Sequence, residues 1–405
     1  MKILQVNCTD LIGHIFDGYD LMNSINLHSK HSVKQIVEHK HSDNDNVIRV
    51  SDYSGVYYDM YKEIETRSNL SHMLKPMGQM IMELPEFREA DIVHYHILHN
   101  RFISLFDYPE LFNAKKSVWT IHDPWITTGD CIYPLECQKW QSTCEKCDGK
   151  GFFHPGYYQE ASAFTWKVKR EVISKINPHI IVSCDFMRDY LKKSPITSHF
   201  NKIHEICFGV DTDKYSTDKY KNRRKFGLRE DSIVIGLRTG GAIKGADYVF
   251  RALKKIRSKR NIELIIVGNK ENLHGLDNRF NVIQLGWVKE ESEMISVLEC
   301  CDIFTMTSLA ESFGLMAIEA MAAGCVIVGF KNTVVERNIK APEVGVAADY
   351  CSVESLQCEL EKLINNPSEI IYRGRKSREL VKEKFSYDRY VREHEDLYET
   401  IYGGL

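Results

Sequence analysis

Short apolar runs of strand length alternate along the chain with segments whose apolar residues have helical spacing. In the first half, the runs predicted to be strands are Lys2–Cys8, Asp91–His96, Ser117–His122 and Pro178–Cys184. A helical stretch ending at Leu27 follows the first run and its loop, and a second one covers Ala161–Ile176. Strands that alternate with helices in this way predict a parallel sheet with helices on both faces.

The same alternation restarts in the second half of the chain. The runs predicted to be strands there are Ser232–Leu237, Ile262–Gly268, Val282–Leu285, Asp302–Thr307 and Cys325–Gly329. One sheet rarely holds so many strands, and a charged stretch interrupts the pattern near Phe208–Lys225. We therefore predict an α/β protein with two doubly wound, Rossmann-like domains that face a central cleft, residues 1–208 and 209–385. The final amphipathic helix, residues 386–405, is expected to pack back on the first domain.

Length and composition support several globular domains and limit the expected partners. The 405 residues correspond to two or three domains of about 150 residues each. Lys and Arg number 53 against 56 Asp and Glu, a balance that argues against a nucleic-acid partner. No apolar run approaches the roughly 20 residues that cross a bilayer, and the start of the chain lacks the features of a secretory signal. We expect a cytoplasmic protein.

Two glutamates near a glycine are the main candidates for chemistry in the second half. Ligands of doubly wound sheets bind at the carboxyl ends of strands, beside helix N-termini. Glu311 lies in the loop after the predicted strand that ends at Thr307, and Glu319 lies in the helix that follows. Gly314 allows a turn that points backbone N–H groups at an anion, and a neighbouring carboxylate suits hydroxyl groups. The combination suits a nucleotide-sugar; the alternative is that both glutamates are ordinary helix charges.

The segment that joins these glutamates reads Glu-Ser-Phe-Gly-Leu-Met-Ala-Ile-Glu. It resembles the E-x7-E signature of retaining glycosyltransferases of family 4, also called glycosyltransferase group 1. The similarity extends over most of the chain and includes Gly209-Val210-Asp211, the stretch from Arg238 to Lys244, and Gly286 after a strand. The resemblance implies the GT-B fold. It also implies transfer of a sugar from a nucleoside diphosphate donor to an acceptor hydroxyl, with retained anomeric configuration.

The resemblance assigns roles to residues of the second domain. Arg238 and Lys244 would stabilise the charge that develops on the departing diphosphate, so that catalysis needs no metal or other cofactor. Glu311 would bind hydroxyls of the transferred sugar, and Glu319 would bind hydroxyls of the donor ribose. Further contacts to the nucleotide-sugar are expected from Ser312, Phe313, Gly314, Leu315, Val288 and, in the first domain, Gly13.

Histidines end two predicted strands of the first domain. His122 precedes Asp123 at the end of one strand. The resemblance places this histidine near the transferred sugar, where it can hydrogen-bond a hydroxyl, and we assign it a catalytic role. For His94 and His96, at the end of the preceding strand, a structural role and a functional one are equally open. Gly13 lies in the loop that the resemblance identifies as the acceptor loop.

Four cysteines share one loop of the first domain: Cys131, Cys137, Cys144 and Cys147. Four thiolates at this spacing match a closed, tetrahedral structural zinc site that has no catalytic position. Unpaired thiols are the alternative, and a disulfide pair is disfavoured in a reducing compartment. We predict a structural zinc ion in this loop.

The predicted function is that of a glycosyltransferase in the synthesis of a bacterial surface polysaccharide, such as O-antigen, capsule or exopolysaccharide. The expected donor is a UDP- or GDP-linked sugar. The expected acceptor is a glycan or a lipid-linked glycan, which would bring the protein into loose contact with the inner face of the membrane. Two alternatives stay open: a nucleotide-sugar epimerase or phosphorylase on the same fold, and a catalytically silent sugar-binding scaffold subunit.

Overall fold

The computed structural model describes residues 1–50, 56–68, 70, 72–153, 161–216, 218–273 and 275–404. They form two compact units. Unit 1 comprises Met1–Cys207 with Tyr390–Leu405, and unit 2 comprises Phe208–Arg389. The sequence pattern predicts boundaries between the two units after residues 208 and 385. The structure moves the second one to 389, because the first turn of the last helix still bonds to unit 2, where the Tyr387 N–H donates to the Val210 carbonyl.

Unit 1 is a parallel sheet of seven strands wrapped by helices. The strands of this sheet are β1 (Lys2–Thr9), β2 (Ser32–His39), β3 (Val47–Arg49), β4 (Ile92–Tyr95), β5 (Lys116–Ile121), β8 (His179–Val182) and β9 (Ile203–Glu205). Two short strands, β6 (Cys131–Tyr133) and β7 (Phe152–Phe153), form a separate antiparallel pair. The helices are α1 (Tyr19–His28), α2 (Val56–Ser68), α3 (Met77–Glu83), α4 (Pro85–Glu89), α5 (Tyr108–Ala114), α6 (Ser162–Ile173) and α7 (Asp185–Lys193).

The strand order of this sheet is β3-β2-β1-β4-β5-β8-β9. Chain order reverses between β1 and β4, so the loops that follow these two strands lie at a topological switch point. Apart from Lys2, every residue of β1 is buried, as expected for a central strand covered on both faces. The carboxyl ends of β4 and β5 lie side by side, because Tyr95 is in register with Trp119.

Unit 2 has the same architecture with six parallel strands. They are β10 (Ile233–Arg238), β11 (Ile262–Val267), β12 (Asn281–Gly286), β13 (Ile303–Met306), β14 (Val326–Phe330) and β15 (Val346–Ala348). The helices are α8 (Lys219–Lys225), α9 (Ala246–Lys255), α10 (Glu291–Cys300), α11 (Leu315–Ala322), α12 (Val334–Asn338), α13 (Val353–Ile364) and α14 (Pro367–Lys384). The strand order is β12-β11-β10-β13-β14-β15, so chain order reverses between β10 and β13. The predicted class, two doubly wound α/β units, is confirmed.

The core of unit 2 follows from strand alternation and helix periodicity. On β10, Ile235 and Leu237 point to one face and pack in one cluster with Val249 and Leu253 of α9. Leu356 and Leu360 of α13, one helical turn apart, belong to the same cluster. Burying a side chain of this size stabilises the folded state by about 1.5–3 kcal/mol. This rigid layer holds the loops after β10 and β13 in place.

The last helix, α15 (Tyr387–Gly403), completes unit 1. Its buried face carries Tyr390, His394, Leu397, Tyr398 and Ile401 at helical spacing. At its C-terminal end, Lys116 Nζ donates to the carbonyls of Ile401 and Tyr402, both at 2.9 Å. A cation there satisfies carbonyls that have no partner within the helix and complements the helix dipole.

Candidate functional site

The loop after β10 in unit 2 carries Lys244 and is held close to the end of β13. Lys244 ends a short 3-10 helix, Ala242–Lys244, and Gly245 follows with a φ of 68°. A Cβ on Gly245 would lie 2.0 Å from the Thr307 carbonyl oxygen, so only glycine fits this approach. The Leu309 N–H also donates to the Ile243 carbonyl at 2.8 Å. Two loops that are distant in sequence are thus joined at the switch point of the sheet.

This junction brings Lys244 and Glu311 into direct contact. Lys244 Nζ lies 2.6 Å from Glu311 Oε1, and the two side chains are 20% and 14% exposed. The Ser308 hydroxyl donates to the same carboxylate oxygen at 3.0 Å. Sequence analysis did not identify Ser308, although a serine three residues before a candidate glutamate was a usable signal. A cation and a carboxylate held together in this way can bind a phosphate and a hydroxyl of one ligand.

Arg238, at the end of β10, contacts an aromatic side chain that sequence analysis also missed. Its guanidinium lies 5.7 Å from the centre of the Trp287 ring, within the range of a cation–π interaction. The Trp287 indole N–H donates to Asn269 Oδ1 at 2.8 Å. The Trp287 side chain is 62% exposed, and the predicted nucleotide contact Val288 comes next in the chain. A large exposed aromatic residue directly after Gly286 is the signal that could have identified it.

The start of α11 has a glycine at the turn where the sequence predicts an anion site. Gly314 has a φ of 81° and immediately precedes the helix. The first N–H groups of a helix lack partners within it and attract negative charge. Phe313 is buried between the rings of Phe208 and Phe385, and its carbonyl accepts from Asn338 Nδ2 at 2.7 Å. The ring and the carbonyl of Phe313 are therefore both held by contacts within unit 2.

Glu319 lies near the middle of α11 and is partly buried. Burial raises the pKa of the neighbouring Tyr215 phenol, and the Glu319 carboxylate raises it further. Glu319 and the Lys244–Glu311 pair belong to the same end of unit 2, on the loops and helix that follow β10 and β13.

His122 is buried in unit 1, directly after β5. Its Nε2 lies 3.2 Å from His96 Nδ1, and its Nδ1 lies 3.9 Å from Asp17 Oδ1. Burial lowers the pKa of His122 to about 3, although the charge of Asp123 opposes the shift. Burial would raise the pKa of Asp123, but its contacts lower it below the ordinary value. His99 lies 3.0 Å from the Asp123 carboxylate, and the Trp125 N–H donates to the same carboxylate. His122 is therefore a neutral ring at pH 7.

Gly13 lies in the loop between β1 and α1, close to His122. Its φ is 79°, and its carbonyl accepts from the N–H groups of Phe16 and Asp17, both at 2.9 Å. The Phe16 ring lies 5.7 Å from the His122 ring. Of the residues predicted to contact the nucleotide-sugar, Gly13 and His122 thus lie in unit 1 and the others in unit 2.

A buried lysine anchors the turn that follows His122. Lys169 of α6 donates to the carbonyls of Trp125 at 2.7 Å and Thr128 at 3.1 Å. Its ammonium lies 3.3 Å from the centre of the Trp125 ring. Burial lowers the pKa of Lys169 to about 7, and the nearby Asp130 carboxylate opposes that shift. This network was not predicted, because a lysine on an amphipathic helix ordinarily faces solvent.

The four-cysteine loop does not present a metal site in this structure. Burial raises the pKa of Cys131, and the nearby thiols of Cys144, Cys147 and Cys137 raise it further, so the four share one neighbourhood. Yet among the described residues, which include all four cysteines, no group of three or more His, Cys, Asp or Glu side chains is placed to hold a metal ion. The zinc ion in this loop stays a prediction.

Comparison with known proteins relates most of unit 2 to one family. Residues 218–383 match the family described as Glycosyl transferases group 1. This confirms the resemblance to that family. The assignment to family 4 and the retaining outcome stay predictions.

Curated relatives carry names from polysaccharide synthesis. One is the putative colanic acid biosynthesis glycosyl transferase WcaC of Escherichia coli, 22% identical over 58% of this chain and 59% of that relative. Another is the capsular polysaccharide biosynthesis glycosyltransferase CapM of Staphylococcus aureus, 27% identical over 52% of this chain and 60% of that relative. The match therefore spans somewhat less than two thirds of these relatives.

Solved structures share the whole fold at low identity. Sucrose-phosphate synthase of Thermosynechococcus elongatus superposes with a TM-score of 0.70 at 14% identity, over 100% of both chains. The Anabaena protein HepE, in complex with UDP and glucose, has a TM-score of 0.69 at 14% identity, over 99% of this chain and 100% of that chain. These likenesses establish the fold.

Proposed function

We propose that this protein is a retaining glycosyltransferase that moves a sugar from a nucleoside diphosphate donor to an acceptor hydroxyl. The observation that carries the proposal is the Lys244–Glu311 contact of 2.6 Å, beside the helix start at Gly314 in a unit that matches a glycosyltransferase family. The names of the relatives from colanic acid and capsule synthesis support an acceptor in a bacterial surface polysaccharide. The UDP and glucose bound to HepE support a nucleotide-sugar donor.

In the proposed mechanism, the diphosphate occupies the first turn of α11 and displaces Lys244 from Glu311. Lys244 and Arg238 then stabilise the negative charge that grows on the leaving phosphate as the glycosidic bond breaks. The released carboxylate of Glu311 accepts hydrogen bonds from sugar hydroxyls. The leaving phosphate takes the proton of the attacking acceptor hydroxyl on the same face, so no protein side chain needs to act as a base. Catalysis would rest on orientation and electrostatics.

A panel of nucleotide-sugars tests this proposal directly. A donor at 100 times its dissociation constant stabilises the folded protein by about 2.7 kcal/mol, which a thermal shift detects. The donor that shifts the melting temperature should then be hydrolysed slowly alone and consumed faster with acceptor glycans. Nuclear magnetic resonance of the product would show the retained anomeric configuration. Binding without turnover would favour the scaffold alternative, and conversion of the donor to another nucleotide-sugar would favour an epimerase.

The two glutamates should differ in their kinetic roles. Glu319→Gln should chiefly raise the donor KM, because ribose contacts are equal in the ground and transition states. Glu311→Gln should lower kcat more, because its carboxylate both binds the sugar and sets the position of Lys244. Steady-state kinetics of both variants check this, with the exposed Glu343→Gln as the control that leaves both constants unchanged. Equal effects on KM alone would remove the role of Glu311.

The zinc ion predicted in the cysteine loop can be tested by measuring the metal content of the protein. Elemental analysis of the purified chain should find about one zinc ion bound by the cysteine loop, and a chelator should lower the melting temperature. Metal-free protein with full stability would reject the zinc site and leave the transferase proposal intact.

We also propose that the protein acts in the cytoplasm and contacts the membrane surface through a lipid-linked acceptor. None of the helices in the described ranges is both long and apolar enough to cross a bilayer. Co-sedimentation with vesicles that carry the acceptor lipid tests this contact.

A further inference from the structure

The two cations of the candidate site have different kinds of neighbour. Lys244 is paired with the Glu311 carboxylate at 2.6 Å, so its charge is offset until a ligand separates them. The neighbour of Arg238 is the Trp287 ring, whose centre lies 5.7 Å from the guanidinium carbon. Within the ranges that the structure describes, this guanidinium forms neither an ion pair nor a hydrogen bond. Arg238 is thus held by an aromatic face and not by an acid.

The Trp287 side chain is itself held in place, although it is 62% exposed. Its indole N–H donates to Asn269 Oδ1 at 2.8 Å. The backbone of Asn269 is anchored in turn, because the Thr239 hydroxyl donates to its carbonyl at 2.5 Å. Thr239 directly follows Arg238 in the chain. The contacts therefore form a closed circuit, from Arg238 through Thr239 and Asn269 to Trp287 and back to the guanidinium.

The strand order of unit 2 makes this circuit possible. β10, β11 and β12 are neighbours in the sheet and run parallel. Arg238 is in register with Val267 at the end of β11, and Val267 is in register with Gly286 at the end of β12. Asn269 and Trp287 come within two residues of those strand ends. All parts of the circuit therefore lie at the carboxyl edge of the sheet, where ligands of such sheets bind.

We infer that Trp287 is a positioning residue, which restrains the Arg238 guanidinium and leaves its charge free for the phosphates of a nucleoside diphosphate. The ring face attracts a cation through its quadrupole but carries no net charge. It therefore restrains the guanidinium without neutralising it, and the N–H groups stay available to phosphate oxygens. A carboxylate in the same place would compete with the phosphate. The use of Arg238 on phosphate rests on the proposed function, whereas the restraint by Trp287 does not.

Nuclear magnetic resonance relaxation of arginine side chains tests the restraint without any ligand. In the full chain with nitrogen-15-labelled arginine, the Arg238 Nε–H signal is the one absent from Arg238→Lys. It should show restricted motion like that of the buried Arg223. Trp287→Leu should make it as mobile as the signal of the exposed Arg260, and Trp287→Phe should retain most of the restraint. Equal mobility in the unaltered protein and in Trp287→Leu would overturn the inference.

Binding of inorganic pyrophosphate to the full chain tests the consequence for a phosphate ligand. Pyrophosphate resembles the leaving group but has no base and no sugar. Trp287→Leu should weaken its binding about two- to fivefold, the factor that one exposed cation–π contact provides. In Arg238→Ala, the same substitution should cause no further loss, because the two residues act as one unit. Tyr220→Leu, which removes an exposed ring from α8, is the control that should leave binding unchanged. A further loss in the double variant would contradict the positioning role.

Steady-state kinetics distinguish positioning of Arg238 from stacking on the nucleobase. Trp287→Leu should lower kcat about two- to fivefold and leave the donor KM nearly unchanged, because charge on the leaving group is largest in the transition state. A ring that stacks on the base would instead raise KM, and this loss would persist in Arg238→Ala. That result would overturn the inference. Absence of any transfer by the unaltered protein would reject the proposed function, while the relaxation experiment still decides whether Trp287 restrains Arg238.

Discussion

Replacing Lys244 with alanine should lower kcat by about 10²–10³-fold, with a smaller effect on donor affinity. The reason is that charge on the leaving diphosphate grows toward the transition state, where a fixed cation stabilises it most. In the structure the loop that carries this cation is held in place, because Gly245 packs directly against the Thr307 carbonyl and the Leu309 N–H donates to the Ile243 carbonyl. Single-turnover kinetics with saturating donor separate this loss from any change in binding.

Arg238→Ala should lower kcat by a factor in the same range. The double variant should lower kcat by less than the product of the two factors, since both cations act on one phosphate group. Lys259→Ala is the matched control, because Lys259 is exposed just before β11 and should leave kcat unchanged. Activity should also survive EDTA. Near-normal turnover in both single variants, or loss in EDTA that Mg²⁺ or Mn²⁺ restores, would contradict the metal-independent role of these cations.

Lys169→Met should destabilise unit 1 by about 1–3 kcal/mol for each of the two buried carbonyls that lose their donor. The substitution leaves the Asp130 carboxylate without its neighbouring cation. It also leaves the carbonyls of Trp125 and Thr128 without their donor. Urea unfolding measured by tryptophan fluorescence reports mainly on unit 1, because four of the five tryptophans, Trp119, Trp125, Trp140 and Trp166, belong to it.

The neighbouring Lys167→Met provides the control for this measurement. Lys167 lies on the same helix, but its side chain is 63% exposed and its ion pair with Glu145 is 3.7 Å long. Exposed pairs of this kind contribute about 0–1 kcal/mol, so its unfolding midpoint should barely move. Similar midpoints for the two variants would show that Lys169 does not hold the turn after His122.

The sequence pattern located the central strands because their residues are apolar on both faces. β1 and β11 were therefore predicted within one or two residues of their observed ends. β2 was missed, because its Lys34, Gln35 and Glu38 break the apolar run. Gln35 is nevertheless fully buried and donates to the Asp17 carbonyl at 3.2 Å. A polar residue that finds a partner in tertiary structure cannot be recognised from its neighbours in sequence.

The candidate site likewise combines residues that can be predicted from the sequence with contacts that depend on the fold. Glu311 and Lys244 were both predicted, since each lies in a loop after a strand. Their contact with each other joins residues separated by 67 positions and depends on the adjacency of β10 and β13.

The division of unit 1 into two separate parts of the chain has a consequence for biosynthesis. Domains generally fold as units while the chain is synthesised from its N-terminus. Unit 2 is continuous in sequence, whereas unit 1 lacks α15 until the whole of unit 2 has been made. Tyr398, which bonds His94, and the carbonyls that accept from Lys116 arrive only then. The half of the protein that is translated first is therefore the one that finishes folding last.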